Sequence, residues 1–352
     1  MRIDDIPEKT LAAFRRGGVI PAQPLALNSK RELDVRRQRA LSRYYLDAGS
    51  VGIAVGVHTT QFSIRDVGLY EPVLRLAAEE AENWVERTPF MVAGVVGKTE
   101  QAVSEAKIAK SLGYQAILLG LAALNNASVD ELVAHCRKVA DVMPVIGFYL
   151  QPAVGGRNLP YEFWKRFAEI ENVVGIKLAP FNRYKTLDVV RGVADAGAKD
   201  RITLYTGNDD HIVGDLITPF PVQINGKPET INIVGGLLGH WSVWTRKAVE
   251  LIEEISAVRG NEKLAATWWT RDAAVTDSNG AFFDAANDYV GVIAGLHEVL
   301  RRQGLLEGIW CLDPEEDLGP GQLAEIDRVY RSYPELNDDD FVRENLERWL
   351  AD

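Results

Sequence analysis

The chain has 352 residues, of which 47% are hydrophobic and 25% charged, as in an ordinary globular protein of one large domain or two smaller ones. Its net charge of −11, from 39 basic and 50 acidic residues, argues against a nucleic-acid or anionic-membrane partner. The first residues lack the apolar stretch of a signal peptide, and no apolar run approaches the ~20 residues of a membrane span. Two distant cysteines, Cys136 and Cys311, form neither a disulfide framework nor a CxxC site. We therefore expect a cytoplasmic protein with no membrane partner.

Eight short apolar runs alternate with longer segments of helical periodicity along the first 258 residues. The starts of consecutive runs lie 26 to 39 residues apart, which suits βαβ units of about 30 residues. Continuous apolar strands without alternation are typical of parallel sheets that helices cover on both faces. The runs begin at Val19, Val51, Phe90, Ala116, Pro144, Val173, Ile202 and Ile231.

Helical periodicity fills the segments between the runs, at residues 31–48, 70–87, 99–112 and 129–141. Eight strands with following helices predict an α/β fold, a closed (β/α)8 TIM barrel. A doubly wound open sheet is the alternative, but no GxGxxG motif opens a helix after an early strand. The pattern therefore favours the closed barrel.

The strand signal disappears after residue 258, and we expect a barrel with an N-terminal lead-in over 1–258 and a helical extension over 259–352. Helices are predicted at 264–276, 279–303, 323–333 and 340–350. Between the last two runs, Asn225 and Gly226 separate short apolar stretches and predict a β hairpin. This hairpin makes residues 218–230 an insertion near the barrel mouth.

Lys177 closes the sixth apolar run, and chemistry in a (β/α)8 barrel lies at the C-terminal ends of the strands. Inside the barrel mouth, desolvation would lower the pKa of this amine from its usual value of ~10.4 and make it a nucleophile toward ketones. A lysine that reaches out from a strand end to solvent explains the same pattern. The position alone leaves both readings open.

Hydroxyl groups follow two other strands. Tyr149 comes at the end of the fifth run, where a phenol could transfer protons or simply fill the barrel. Thr59 and Thr60 follow the second run, where they could hold a carboxylate or form an ordinary turn.

The order and spacing of these residues resemble a known family across nearly the whole chain. The carriers are the Val19–Leu25 stretch, the Thr-Thr pair, Tyr149 with Pro152, Gly175-Ile-Lys177 and Thr206-Gly-Asn-Asp209. The set resembles the dihydrodipicolinate synthase / N-acetylneuraminate lyase family. The resemblance implies a Schiff-base-forming lyase, an aldolase or dehydratase, that acts on pyruvate or another small 2-oxo acid through an imine on Lys177. It also implies a homo-oligomer, dimer or tetramer, and no metal or organic cofactor.

The resemblance also implies roles for the matching positions. Tyr149 would be the proton-transferring phenol, while Thr59 and Thr60 would bind the carboxylate of the 2-oxo acid. Gly207 and Asn208 match the segment that lines the pocket after the seventh strand.

The loop after the second strand departs from the family pattern, which has glycines and an acid around the Thr-Thr pair. His58 and Gln61 add hydrogen-bonding groups there, and Phe62 replaces the acid with an apolar ring. The synthases' tyrosine after the fourth strand is missing, and their arginine would fall at Val154. We therefore expect His58 to bind substrate and the second reactant to be a less charged or aromatic aldehyde, or a sugar-derived 2-oxo acid, rather than aspartate semialdehyde.

Two other classes of function remain possible from the residues alone. Imidazoles and carboxylates near the strand ends suggest a metal-dependent aldolase or hydrolase, although their spacing matches no compact metal motif. A barrel without catalysis could instead serve as a 2-oxo acid sensor. The candidate metal ligands are His58, Asp209, Asp210, His211 and His240.

Overall fold

A ring of parallel strands forms the centre of the computed structural model, which describes residues 1–351. The strands run in the order β1-β9-β7-β6-β5-β4-β3-β2, and β8 pairs only with β9 in an antiparallel hairpin. A bridge between Ala22 and Ala54 joins the two ends of the sheet, and the N–H of Gln23 donates to the Ala54 carbonyl at 2.8 Å. The predicted (β/α)8 barrel is confirmed. The strands are β1 (Val19–Pro21), β2 (Ala54–Val55), β3 (Val92–Val95), β4 (Ala116–Leu119), β5 (Val145–Leu150), β6 (Val173–Ala179), β7 (Thr203–Thr206), β8 (Pro219–Ile224) and β9 (Lys227–Leu238).

Helices cover the outside of the barrel, as the periodicity predicted, and a first short helix covers its N-terminal end. Within residues 1–351, no helix is long and apolar enough to cross a lipid bilayer. The helices are α1 (Glu8–Arg16), α2 (Val35–Ala48), α3 (Tyr70–Asn83), α4 (Thr99–Ser111), α5 (Val129–Ala140), α6 (Tyr161–Ala168), α7 (Arg183–Asp195), α8 (Ile212–Ile217), α9 (Thr245–Val258), α10 (Thr267–Phe282), α11 (Val292–Arg302), α12 (Gln322–Ser332) and α13 (Asp339–Trp349).

The buried apolar side chains form two separate clusters, one inside the barrel and one between strands and helices. Successive residues of a strand point to opposite faces, so the strands of the barrel ring contribute to both clusters. On β5, Phe148 belongs to the interior cluster and Tyr149 to the outer one. Phe14 of α1 closes the bottom of the interior, where its ring stacks on Phe90 at 4.1 Å and on Tyr205 at 4.8 Å. A ligand can therefore enter from the opposite end of the barrel, at the carboxyl ends of the strands.

The predicted hairpin between the last two runs is present, but its position near the barrel mouth was a wrong prediction: it pairs with the N-terminal part of β9, before that strand enters the barrel, and so lies at the opposite end. Asn225 and Gly226 have φ angles of 52° and 74°, the left-handed conformation that a two-residue hairpin turn requires. The apolar run that begins at Ile231 lies within β9, which is 12 residues long.

The C-terminal extension differs from its prediction in the position of a helix break, which was expected at residues 277–278, where α10 in fact continues. A single helix was predicted over 279–303, but α10 ends at Phe282 and α11 begins at Val292. Asp284, Asp288 and Tyr289 between them have φ angles of 56°, 53° and 68°. The Asp284 carboxylate accepts the N–H of Gly291 at 3.1 Å and so stabilises the interruption. The continuous helix was a wrong prediction because the apolar spacing persists through the break.

Candidate active site

Lys177 lies within β6 and points into the barrel mouth, with 8% of its surface exposed. In register with it are Phe148 on β5 and Tyr205 on β7, and both belong to the interior cluster. The Lys177 Nζ lies 4.4 Å from the centre of the Phe148 ring. Burial lowers the pKa of the Lys177 amine, while the negative charge of Asp209 opposes that shift. A fraction of neutral amine, the nucleophilic form, is therefore present closer to neutral pH than in an exposed lysine.

Asp209, in the loop after β7, lines the same cavity as Lys177. Among residues 1–351, its Oδ1 is a buried atom without a hydrogen-bond partner. Burial raises the pKa of this carboxyl, and the Lys177 charge and the backbone N–H of His240 act in the opposite direction. A buried amine and a buried carboxyl therefore face one small space, where either can exchange a proton with a bound molecule.

This space, which we call the lysine chamber, has a volume of about 60 Å³. A buried water occupies roughly 10–15 Å³ on this scale, so the chamber suits a molecule of about four to six heavy atoms. A larger cavity of about 710 Å³ lies beside α9 and α10, but neither Lys177 nor Asp209 lines it. The chamber is lined by His58, Thr59, Phe148, Leu150, Gln151, Val154, Lys177, Ala179, Phe181, Gly207, Asp209, Gly239, Phe283, Tyr289, Val292, Ile293 and Leu296.

A second cavity of about 480 Å³, the outer pocket, adjoins the chamber at the mouths of β2 to β5. His58, Phe148, Leu150 and Val154 line both spaces. The rest of the outer pocket is apolar except for Arg157, whose terminal N–H groups donate to the carbonyls of residues 124 and 127. The outer pocket is lined by His58, Phe62, Val96, Gly97, Gly120, Leu121, Ala122, Ala123, Phe148, Leu150, Val154, Gly155, Gly156, Arg157 and Leu159.

Of the residues that were predicted to bind substrate after β2, two line the chamber and the third holds the loop in place. Burial, with a smaller effect of the Lys177 charge, lowers the pKa of His58 to about 4, so its ring is neutral at pH 7. Thr59 lines the chamber beside His58. Thr60 does not: its hydroxyl accepts the Gly56 N–H at 2.9 Å and donates to the Gln23 carbonyl at 2.7 Å. Thr60 therefore holds the loop to the neighbouring strand.

The two predicted residues after β7 divide in the same way. Gly207 lines the chamber, and a Cβ at this position would lie 2.7 Å from the Lys177 Cε, so a side chain there would displace the lysine. Asn208 lies outside the chamber, where its amide donates to Asp215 Oδ2 at 2.8 Å and accepts the Phe181 N–H at 3.0 Å. Asn208 positions the loop rather than lining the chamber.

Tyr149 does not face Lys177, contrary to the expectation from the sequence. It pairs in register with Leu178, one residue beyond the Phe148–Lys177 pair, and so points to the helix layer. Its hydroxyl accepts the Leu159 N–H at 3.3 Å, and its ring lies 5.2 Å from that of Trp164. The difference arises because the pairing of β5 with β6 shifts by one residue between Val145 and Ile146, so that Phe148 rather than Tyr149 lies opposite Lys177.

Replacing Tyr149 by Phe is therefore expected to leave the chemical step nearly unchanged. The phenol accepts one backbone N–H, and its loss costs about 1–3 kcal/mol of unfolding free energy. Thermal denaturation together with the turnover of a confirmed substrate would measure both effects. A general acid–base role predicts a ~10²–10⁴-fold slower turnover instead, and that result would restore Tyr149 to the site.

Several residues that line the chamber could not be identified as site residues from the sequence pattern. Phe283 and Tyr289, from the break between α10 and α11, together with the start of α11, form a roof over the barrel mouth. The Tyr289 ring lies 6.2 Å from that of Phe181, and both residues line the chamber. The roof is what completes the enclosure of Lys177.

The side chains considered for a metal site do not converge. His211 pairs with Asp272 at 2.9 Å, and the His240 ring stacks on Phe282 at 5.7 Å. Asp210 is exposed, whereas His58 and Asp209 line the chamber. Within residues 1–351, no three His, Cys, Asp or Glu side chains come together as a metal site requires.

A closed (β/α)8 barrel with a desolvated lysine in its mouth is an enzyme scaffold with a built-in amine nucleophile. The profile of the Dihydrodipicolinate synthetase family matches residues 15–218, more than half of the chain. The chain belongs to this family, and the predicted lyase class is confirmed with it.

Curated relatives show how far the similarity extends. A 4-hydroxy-tetrahydrodipicolinate synthase from Alkaliphilus oremlandii is 27% identical over 57% of this chain and 66% of that protein. N-acetylneuraminate lyase 2 from Escherichia coli O6:H1 is 24% identical over 84% of this chain and 88% of that protein. The chain thus spans about two thirds of the first relative and most of the second.

Solved structures confirm the fold. A dihydrodipicolinate synthase from Oceanobacillus iheyensis superposes with a TM-score of 0.73 at 17% identity, over 93% of this chain and all of that one. A prophage protein of the same family from E. coli K12, solved in complex with pyruvate, gives a TM-score of 0.73 at 18% identity over 90% of this chain and 98% of that one.

Proposed function

We propose that this protein is a Schiff-base-forming lyase, an aldolase or dehydratase, that binds pyruvate or another small 2-oxo acid as an imine of Lys177. The observation that carries the proposal is the buried Lys177 amine with its lowered pKa in a chamber of about 60 Å³. Pyruvate has six heavy atoms, which matches that volume. Membership of the family and the pyruvate complex of a structural neighbour support the same substrate class.

In the proposed mechanism, the neutral Lys177 amine attacks the ketone carbon, and the resulting carbinolamine loses water to give an iminium ion. The iminium nitrogen withdraws electrons from the bond between C3 and its substituent, so that a C–C bond or a C–H bond at C3 can break. The neighbouring Phe148 ring lies 4.4 Å from the Nζ and favours a cation there. The protein itself supplies the electron sink.

We propose that Thr59 and His58 contact the 2-oxo acid, since both line the chamber. The neutral His58 ring can offer one N–H donor to a substrate oxygen. Gly207 leaves room for the lysine side chain, while Thr60 and Asn208 position their loops.

Reductive trapping tests the imine directly. Borohydride added with pyruvate is expected to give a stable adduct, confined by peptide mass spectrometry to the peptide that carries Lys177. Reversible pyruvate binding without any trapped adduct would favour the sensor and overturn the proposal.

Chelation separates the imine mechanism from the metal-dependent alternative. Exhaustive treatment with a chelator is expected to leave turnover intact, because the iminium supplies the positive charge that a metal ion would provide. Turnover lost on chelation and restored by zinc or manganese would instead favour a metal-dependent enzyme.

We further propose a cytoplasmic location and a homo-oligomeric state, a dimer or tetramer. Cys136 and Cys311 are both free and buried, which suits a reducing compartment. The homo-oligomeric state is what the resemblance to the family implies.

A further inference from the structure

We propose that Asp209, rather than a tyrosine of β5, takes the proton from C3 of the Lys177 imine and returns it. This inference rests on the proposed imine chemistry and adds a second catalytic residue to it. The starting point is that Tyr149 points away from the chamber, which leaves the lysine without the phenol that the sequence predicted.

Asp209 has the position and the free atom that the role requires. It lies in the chamber with Lys177, and its charge interacts with the amine. Within residues 1–351, its buried Oδ1 has no hydrogen-bond partner. A buried carboxylate oxygen without a partner is costly, and a proton or a substrate group would satisfy it.

The other titratable groups near Asp209 are poorly suited to accept a proton. The pKa of His58 and that of His240 are both lowered to about 4, so each ring is a weak base. Burial raises the pKa of the Tyr289 phenol, which therefore stays protonated at neutral pH. Asp210 is exposed and lies outside the chamber.

The phenol of Tyr205, which also points into the barrel, already has a hydrogen-bond partner. Tyr205 pairs in register with Lys177, but its hydroxyl donates to the Phe14 carbonyl at 2.8 Å, at the closed end of the barrel. Asp209 is therefore the chamber group whose carboxylate form can accept a proton near neutral pH.

The proton transfer balances without any further reactant. The carboxylate of Asp209 takes a proton from C3 of the iminium, the C–H electron pair becomes the C2=C3 double bond, and the C=N⁺ π electrons pass to nitrogen. The products are a neutral enamine and a neutral Asp209 carboxyl. When the enamine then attacks an aldehyde, the new C–C bond forms at C3 and Asp209 returns its proton to the aldehyde oxygen.

The electrostatics of the chamber suit both directions of transfer. Burial raises the pKa of Asp209 above that of an exposed aspartate, so a larger fraction of its carboxyl is protonated near neutral pH and able to donate. The iminium charge, in place of the lysine ammonium, favours the carboxylate when C3 must lose its proton. Proton transfer is most effective when the acid or base has a pKa near the working pH.

The test follows exchange of the pyruvate methyl protons in heavy water by ¹H NMR, because this step needs only the imine and a base. Wild-type protein is expected to exchange the methyl signal, and Asp209→Asn to slow that exchange by ~10²–10⁴-fold. Borohydride should still trap pyruvate on Lys177 in Asp209→Asn, which shows that the chamber is folded. Asp209→Glu, which keeps a carboxylate, should recover part of the exchange.

A matched control is Asp210→Asn, the same change at the neighbouring exposed position, which should exchange at the wild-type rate. At saturating pyruvate, wild-type exchange should fall as the pH is lowered through the raised pKa of Asp209, and Asp209→Asn should lack that fall. The lysine is already an imine under these conditions, so its own titration does not enter.

Two outcomes overturn the inference while the imine chemistry stands. In the first, Asp209→Asn forms the adduct and exchanges the methyl protons at the wild-type rate. In the second, the wild-type protein forms the adduct but does not exchange the methyl protons. The absence of any adduct in the wild-type protein would overturn the proposed function itself, so the two failures are distinguishable.

Discussion

Replacing Lys177 by Ala is expected to abolish the borohydride adduct with pyruvate and to lower turnover by on the order of 10⁴-fold or more. The change removes the atom that forms the covalent bond, and none of the other side chains that line the chamber is a lysine. It also leaves Asp209 buried without a cation, so that the carboxyl should become neutral in the variant. The measurement is adduct formation by intact-protein mass spectrometry beside steady-state turnover.

Lys185→Ala is the matched control, because Lys185 lies on the outside of α7 and its amine donates to Asn158. It should keep both the adduct and the turnover of the wild-type protein. Circular dichroism of both variants would show that the barrel is intact. A full adduct in Lys177→Ala would mean that another amine is the nucleophile.

The second large effect concerns the aldehyde that reacts with the pyruvate enamine. An uncharged aromatic aldehyde such as benzaldehyde is expected to give a kcat/KM at least ~10-fold above that of aspartate semialdehyde. Within the described chain, residues 1–351, the outer pocket is lined by no Asp or Glu that could pair with the ammonium group of aspartate semialdehyde. An unpaired polar group in such a space costs about 1–3 kcal/mol, and a charged one more.

Comparison of the two aldehydes with purified enzyme and saturating pyruvate would measure the preference. Ala122→Trp, which fills the outer pocket, should lower kcat/KM for benzaldehyde but leave reductive trapping of pyruvate unchanged. Aspartate semialdehyde as the better substrate by a wide margin would show that the apolar lining does not govern the choice, and would support a synthase role.

The barrel and its lysine could be predicted from the sequence because both depend on local patterns. Apolar runs at βαβ spacing indicate parallel strands, and a lysine among the last residues of such a run lies at the reactive end of the barrel. The two-domain division at residue 258 stays a prediction.

Tyr149 could not be placed from the sequence because strand register decides its direction. A shift of one residue moves a side chain from the interior face to the helix-facing side. Its distance from Pro152 matches the family pattern, whereas the pairing of Phe148 with Lys177 follows from a register shift between Val145 and Ile146. The roof could not be predicted either. Phe283 and Tyr289 line the chamber because residues with left-handed φ angles interrupt a segment whose apolar spacing predicts a continuous helix.

The roof has a consequence for how the chain relates to its family. The family profile matches residues 15–218, whereas Phe283, Tyr289 and the start of α11 lie beyond that segment. The matched segment therefore contains Lys177, while the side chains that cover the barrel mouth lie C-terminal to that segment. Changes of the Phe283 and Tyr289 side chains would therefore alter the space above Lys177 without changing any residue of the matched segment.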